Sequence, residues 1–227
     1  MPSDRLRSIV PMFGGETHYV DTLDAIIEFV RGYNPTTDEL VGWHRGTFAN
    51  VSSRDSIMRR VTYLQQIGFL RQADEHWELG DVGRTYVQQQ DTATLLRIMC
   101  ERNVGLRSLL YALSAAPMSL AEISTQQLDT HPELGWNPEQ TDMASQRVNW
   151  LRSMGLIEKH ESEYRLTDDG RQFVYRAVEE WAPIDGPVTG ESKYSAGTYE
   201  TTIHARVVDP EFRATVLSRY DQTCRLC

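Results

Sequence analysis

The chain has 227 residues, 40% of them hydrophobic, with 23 Lys and Arg against 32 Asp and Glu and a net charge of −9. A chain of this length forms one large domain or two small ones and is long enough to bury a core. Its longest apolar runs fall far short of the roughly 18 residues that a membrane span needs, and its first residues lack a signal-peptide core, so we expect a cytoplasmic protein. The acidic balance argues against a nonspecific polycationic coat on nucleic acid, because phosphate neutralisation needs clustered positive charge.

Arginine supplies all but two of the basic residues, the exceptions being Lys159 and Lys193. Few lysines combined with an excess of acids resemble the composition of proteins from salt-loving archaea, in which carboxylate-rich surfaces stay hydrated in concentrated salt. A GC-rich genome, which favours Arg codons over Lys codons, explains the same bias. Composition alone leaves both explanations open.

A repeat is the strongest internal signal, and repeats decide an architecture. Gly68 and Gly155 are related by a shift of 155 − 68 = 87 positions, and the same shift matches the residues around them without a gap. Further matched pairs are Arg60 and Arg147, Val61 and Val148, Leu64 and Leu151, Leu79 and Leu166, Asp81 and Asp168, Gly83 and Gly170, and Arg84 and Arg171. The chain therefore contains two copies of one unit.

In the first copy, apolar spacing predicts a helix over residues 23–31 and a short second helix over residues 37–43. A third helix starts from a cap at Ser52 or Ser53 and ends at Gly68. Two short apolar segments around a polar turn then predict a hairpin whose second strand is centred on Trp77.

The second copy repeats this order after predicted helices at residues 94–101 and 106–113. Ser119 and Glu122 form a capping box that opens the next helix, residues 119–128. A start resembling a capping box at Asn137 predicts the third helix, residues 139–154, and a hairpin follows around Tyr164.

Helices followed by a hairpin are typical of winged-helix domains. The segments YLQQIGFL and WLRSMGLI, followed by WELGDVGR and YRLTDDGR, resemble the winged helix-turn-helix family, in which Leu-Thr-x-x-Gly-Arg commonly closes the wing and starts a C-terminal helix. The resemblance covers residues 17–181 in two copies. It implies a mainly α fold with small β-hairpins (α+β), with a first winged helix in residues 1–90 (core 17–90) and a second in residues 91–182.

In winged-helix proteins the third helix usually enters the major groove, where it can read base edges. The stretch 54–71 carries four arginines against Asp55 alone, a local charge of 4 − 1 = +3, which favours the first copy. Solvated charge, or a packing role that Arg60 and Arg147 share, is the competing explanation. The candidate DNA-binding residues are Arg54, Asp55, Arg59, Arg60, Arg71, Gln146, Arg147, Asn149 and Arg152.

Three aromatic side chains lie near the starts of the recognition elements, namely Trp43, His44 and Trp136. An exposed indole at such a place would contact a methyl group or stack on a base, so these are candidates for contact with a modified base. A partly buried anchor is the alternative.

The C-terminal segment differs in composition from the repeats. Residues 183–202 are rich in Pro, Gly and Ser and indicate a linker. Residues 203–227 predict a helix leading into Cys224-x-x-Cys227, which resembles the opening of HNH (ββα-metal) endonuclease domains. The resemblance implies that Cys224 and Cys227 are half of a structural zinc site, and that a divalent metal ion binds a nuclease motif which this chain lacks. A redox pair or two incidental thiols are the alternatives.

Winged-helix readers joined to an HNH nuclease resemble modification-dependent, type IV-like restriction endonucleases, in which winged helices sense 6-methyladenine. The resemblance implies double-stranded DNA as the partner, adenine-methylated in one version of the hypothesis, and a homodimer for cutting both strands. We expect residue 227 to be a truncation of a longer HNH endonuclease, and this chain by itself not to cleave DNA. A tandem winged-helix transcriptional regulator or protein-interaction module without catalysis is the alternative.

Overall fold

The structure, a computed structural model, describes residues 5–137 and 139–181, the last five by their backbone alone. Within these residues the fold is mainly α with small antiparallel sheets, which confirms the predicted fold class. The helices are α1 (Tyr19–Tyr33), α2 (Thr37–Thr47), α3 (Arg54–Gln66), α4 (Asp81–Gln89), α5 (Thr92–Arg102), α6 (Leu106–Ala115), α7 (Leu120–Thr130), α8 (Asp142–Ser153) and α9 (Asp168–Trp181). The strands are β1 (Leu70–Ala73), β2 (His76–Leu79), β3 (Met118–Ser119), β4 (Ile157–His160) and β5 (Glu163–Leu166). Among the described helices, none has the length and apolar character to cross a membrane.

The first unit runs from α1 to α4. Helix α3 begins where expected, because the Ser53 hydroxyl accepts a hydrogen bond from the backbone N–H of Ser56 at 3.3 Å. Strands β1 and β2 form an antiparallel hairpin, and a single bridge between Thr36 and His76 extends its edge. The predicted order of three helices and a hairpin is therefore present.

The second unit runs from α6 to α9, and α5 connects it to the first. Strand β3 pairs with β5, which gives a three-stranded sheet in the order β3-β5-β4. Under the shift of 87, β1, β2 and the first residue of α4 coincide with β4, β5 and the first residue of α9. The repeat is thus also a structural repeat in its C-terminal part.

The start of α8 departs from the sequence prediction. The helix begins at Asp142, and Asn137 instead closes a turn in which its side-chain oxygen accepts from the backbone N–H of Glu139 at 3.1 Å. The predicted capping-box start at residue 139 is wrong, because the connection from α7 to α8 is longer than its counterpart in the first unit.

A glycine in each unit lets the last helix pack against the backbone three residues after the end of the recognition helix. A Cβ on Gly83 would lie 2.2 Å from the carbonyl oxygen of Phe69, and one on Gly170 would lie 2.0 Å from that of Leu156. No side chain fits at such distances. The repeated Gly-Arg of the sequence therefore marks a close approach of backbones, and not a ligand site.

The N-terminal segment, residues 5–18, lies between the two units. Ile9, Val10 and Met12 are buried in one apolar core that includes residues from both units. The indole N–H of Trp150 donates to the carbonyl of Val10 at 3.0 Å. The units are therefore joined by packing as well as by the chain. The predicted linker and HNH segment, residues 183–227, lie outside the described residues.

Candidate nucleic-acid interface

Helix α3 buries one face and leaves the other in solvent. Ile57, Val61 and Leu64 are fully buried against the first unit's core. The opposite face is a stripe of polar side chains at helical spacing. The exposed residues of α3 are Arg54, Asp55, Arg59, Thr62, Gln65 and Gln66.

Charge is distributed very differently around the two recognition helices. Residues 40–73, from the fourth residue of α2 to the end of β1, contain five arginines and one aspartate, a net charge of 5 − 1 = +4, and the two acids in the first turn of α2, Asp38 and Glu39, lower it to 5 − 3 = +2. The equivalent residues 127–160 of the second unit contain three basic and five acidic residues, a net charge of 3 − 5 = −2. Only the first recognition helix therefore lies in a positive region.

Some of the arginines around α3 are neutralised by ion pairs. Arg54 pairs with Asp38 at 2.6 Å, and Arg71 on the hairpin pairs with Glu78, also at 2.6 Å. Arg59 forms no ion pair with any described residue. Arg45, at the end of α2, makes only a hydrogen bond to a backbone carbonyl, at 2.9 Å. The ion pairs of Arg54 and Arg71 are exposed and therefore weak, so each arginine can exchange its carboxylate partner for a DNA phosphate.

Arg45 also borders the turn that leads into α3. Residues 45–52 line a shallow, predominantly polar cleft of about 570 Å³. The set of residues predicted from the sequence did not include Arg45, which lies before the positive stretch 54–71, nor Gln65 and Gln66. The helical period of α3, extended by one turn, was the signal that would have found the glutamines.

Arg60 is a structural residue of the first unit. Its guanidinium lies over the ring of Phe13, 3.9 Å from the ring centre, and donates to the carbonyl and the hydroxyl of Ser56. Burial lowers the pKa of Arg60, and the neighbouring charge of Arg59 lowers it further. The half-buried guanidinium is occupied by these contacts, which corresponds to the packing role and not to the predicted DNA contact.

Arg147, the counterpart of Arg60, is completely buried. It donates to the carbonyls of Arg7 at 2.6 Å, Met143 at 3.1 Å and Val104 at 3.3 Å. Its guanidinium also lies over the ring of Trp136, and burial lowers the pKa of Arg147 to about 10. A buried guanidinium cannot contact DNA, so the prediction is wrong for this residue.

The rest of α8 is covered as well. Asn149 is buried, which makes its predicted DNA contact wrong. Gln146 is partly buried, with its side-chain oxygen inaccessible to solvent and without a hydrogen-bond partner. Arg152 keeps 17% of its side-chain surface exposed and pairs with Glu16 at 2.8 Å. Neither Gln146 nor Arg152 therefore presents its side chain to a DNA groove.

Helix α1 and the N-terminal segment are what cover α8. The Ser153 hydroxyl accepts from the backbone N–H of Val20 at 2.7 Å, and the ring of Tyr19 packs edge-on against Trp150. The second recognition helix is consequently an internal contact between the two units.

The three candidates for a modified-base contact are also packed. Trp43 is partly buried and stacks on Phe29, with ring centres 4.6 Å apart. His44 is fully buried, donates from Nδ1 to the carbonyl of Leu40 at 2.7 Å, and has its pKa lowered by burial. The indole N–H of Trp136 donates to Ser124 at 3.0 Å. These side chains are therefore placed as packed anchors, the alternative to contact with a modified base.

The predicted zinc ligands Cys224 and Cys227 lie outside the described residues. Within residues 5–137 and 139–181, no group of three or more His, Cys, Asp or Glu side chains is placed to hold a metal ion. Cys100, in α5, is buried.

Neither a protein-family model nor a curated protein matches the sequence. Among solved structures, the chain is similar to the binding domain of the BpuJ1 endonuclease, crystallised with pyrene- and phenanthrene-modified DNA. The match has a TM-score of 0.48 and 10% sequence identity and covers 93% of this chain and 96% of that one. A likeness of this degree does not establish what this chain binds.

Proposed function

We propose that the chain binds double-stranded DNA through the exposed face of α3 and the turn before it. The observation that carries the proposal is the pair of exposed arginines, Arg45 and Arg59, that no described carboxylate neutralises in a chain of net charge −9. Uncompensated positive charge at the end of α2 and on the exposed face of α3 of an acidic protein is the footprint that a phosphate backbone requires.

The element order supports a winged-helix assignment for both units. The second has the order helix, strand, helix, helix, strand, strand, and in the first the bridge at Thr36 takes the place of the initial strand. An α-helix of this kind fits the major groove, with the hairpin beside it over the backbone.

The residues of α3 suit distinct contacts in such a complex. Arg59 pairs with guanine, or with a phosphate, and Gln66 forms two hydrogen bonds with adenine. Asp55 accepts from the amino group of cytosine. Arg45 and Arg54 lie at the ends of the turn and contact phosphates, with Arg54 released from Asp38.

The second unit has a supporting role in this proposal. Its recognition helix is covered by α1 and the N-terminal segment. The second unit therefore holds the first unit in place and does not read a second DNA site. One DNA site per chain follows, and a two-fold site then needs a homodimer.

We also propose that this DNA-binding region directs a nuclease of the restriction type. The support is the resemblance of residues 203–227 to the opening of HNH domains, with Cys224 and Cys227 as zinc ligands. Reading the gene beyond codon 227 tests it. A second Cys-x-x-Cys and a His- and Asn-rich motif are expected, whereas a stop codon favours the regulator without catalysis.

The DNA-binding step is tested by measuring affinity against salt concentration for Arg59→Ala and Arg45→Ala. If each arginine contacts a phosphate, each substitution reduces the slope of log K against log salt by about 0.9, and if Arg59 reads a guanine it costs about 1–3 kcal/mol. Arg152→Ala, on the covered helix, is the matched control and should leave affinity unchanged. Unchanged binding by the first two variants would place the DNA-binding surface elsewhere.

A preference for methylated DNA is tested by comparing binding to two duplexes that differ only in adenine methylation. Tighter binding to the methylated duplex supports methyl sensing through α3, since the candidate aromatic residues are packed. Equal binding to both duplexes contradicts methyl sensing and leaves DNA binding intact.

A further inference from the structure

The N-terminal segment meets the junction of α5 and α6 at a point where each of the two segments carries an exposed arginine. The backbone N–H of Leu6 donates to the carbonyl of Arg102 at 2.8 Å, and that of Val104 donates to the carbonyl of Leu6 at 2.9 Å. These bonds form a parallel bridge at the junction of α5 and α6. The bridge pairs Leu6 with Asn103, so Arg7 follows the bridged residue on one segment and Arg102 precedes it on the other, although they are almost a hundred positions apart in the sequence.

The backbone of this pair is held firmly by buried groups. The carbonyl of Arg7 accepts from Arg147 at 2.6 Å. Asn103, which follows Arg102, is fully buried and donates from its amide to the carbonyl of Met99 at 2.9 Å. Because this backbone is already ordered, binding a ligand restricts only the arginine side chains.

The same buried groups connect the pair to the recognition helix. The hydroxyl of Tyr63, in α3, donates to the side-chain oxygen of Asn103 at 3.0 Å. Arg59 comes one helical turn before Tyr63 and is exposed. The exposed stripe of α3 therefore borders the junction that carries Arg7 and Arg102.

Both arginines are exposed, and neither forms an ion pair with a described residue. The nearby Glu101 is engaged by Arg97 at 3.3 Å, so it does not neutralise them. Positive charge without local compensation, on a rigid backbone next to a DNA-reading helix, is suited to a polyanion that lies across both elements.

We propose that Arg7 and Arg102 form a second phosphate-contacting patch, which binds the backbone of the same duplex that α3 reads. This inference rests on the proposed DNA-binding function of α3. The patch would widen the contact with DNA without a second recognition helix, and it gives the N-terminal segment a direct role in binding.

The test is the affinity of the 227-residue chain for duplex DNA as a function of salt, for the double variant Arg7→Ala with Arg102→Ala. We expect binding to weaken about tenfold and the salt slope to fall by about 2, because two phosphates are no longer neutralised by the protein. Arg31→Ala with Arg176→Ala is the matched control, because both residues are exposed and lack ion pairs with described residues. The control keeps the same net charge as the test variant and should bind almost normally. Arg7→Lys with Arg102→Lys should preserve the slope.

The outcomes separate this proposal from the proposed function. If the double variant binds like its control while Arg59→Ala is impaired, the second patch is wrong and DNA binding by α3 stands. If neither variant differs from its control, both proposals are overturned. All four substituted side chains are exposed, so their removal leaves the core intact, and an unchanged thermal unfolding midpoint confirms that the variants are folded.

Discussion

Arg60 and Arg147 occupy the same position of the repeat, yet their side chains are buried to different extents. Arg60 is half-buried, with one ring face and one serine as partners. Arg147 is fully buried and bonds to three carbonyls. Both hold the N-terminal segment, the first through the ring of Phe13 and the second through the backbone of Arg7. The equivalence in sequence thus reflects a common packing role.

This difference predicts unequal costs for the same substitution. Arg147→Met removes the donor to the buried carbonyl of Val104 and the part-buried carbonyl of Arg7, and we expect it to lower the free energy of unfolding by about 3 kcal/mol or more. Arg60→Met replaces a partly solvated contact with a ring, which contributes about 0.5–1 kcal/mol. Urea denaturation of the two variants measures both values. Equal reductions in the free energy of unfolding would contradict the structural assignment of Arg147.

At the scale of the elements, the junction between the hairpin and the last helix is the most strictly repeated part of the fold. Arg84 donates to the carbonyl of Leu79 at 2.5 Å, and Arg171 donates to that of Leu166 at 2.9 Å. Each arginine also pairs with the aspartate at the start of its own helix. The helix can lie this close to the recognition helix only because glycine precedes each arginine.

Gly170→Ala should therefore push α9 away from the residue after α8. We expect the free energy of unfolding to fall by about 1–3 kcal/mol, the usual range for overpacking, because the carbonyl of Leu156 is backbone and cannot move aside. Gly42→Ala is the matched control, since a Cβ at Gly42 of α2 meets nothing within 4 Å. It should stabilise the protein by about 0.5–1 kcal/mol through helix propensity. Thermal unfolding midpoints that shift in the same direction for both variants would contradict this explanation.

The sequence predicted the elements well wherever the cause was local. The hairpins, the cap at Ser53 and the capping box at Ser119 depend on residues a few positions apart, and they appear as expected. The burial of Arg147 and Asn149 was missed, because it comes from α1 and the N-terminal segment. A helical period reports that a face is polar, but not that another unit covers it.

In the candidate site, too, the features with a local cause were predictable from the sequence, and those that depend on distant residues were not. The exposed and basic character of α3 was predictable from its period and from the local charge of the sequence. The second patch was not, because Arg7 and Arg102 reach the same junction only through the bridge between Leu6 and Asn103. Sequence reasoning had no basis for bringing these two arginines together.

At the scale of the whole molecule, the two units share one apolar core and a set of buried hydrogen bonds. Such an arrangement favours unfolding as one cooperative body. The second unit then stabilises the DNA-reading helix without touching DNA. Substitutions in α8 should accordingly act on DNA affinity only through stability.

Native-state hydrogen exchange tests this coupling. The most protected amides of α3 and of α8 should exchange with the same free energy of opening, because each opens only when the whole body unfolds. Arg147→Met should lower both values equally. Protection that persists in α8 after it has disappeared from α3 would show two independently unfolding units.

The position of the N-terminal segment has a consequence for synthesis of the protein. Arg7 and Val10 leave the ribosome well before Arg147 and Trp150, which donate hydrogen bonds to their carbonyls and each follow 140 positions later in the chain. Contacts this distant raise the contact order and slow folding, because a long loop must close before they form. The hydrogen bonds from Arg147 and Trp150 to the N-terminal segment can form only after the second unit has been translated. Until then, the nascent first unit, which contains α3, lacks these contacts.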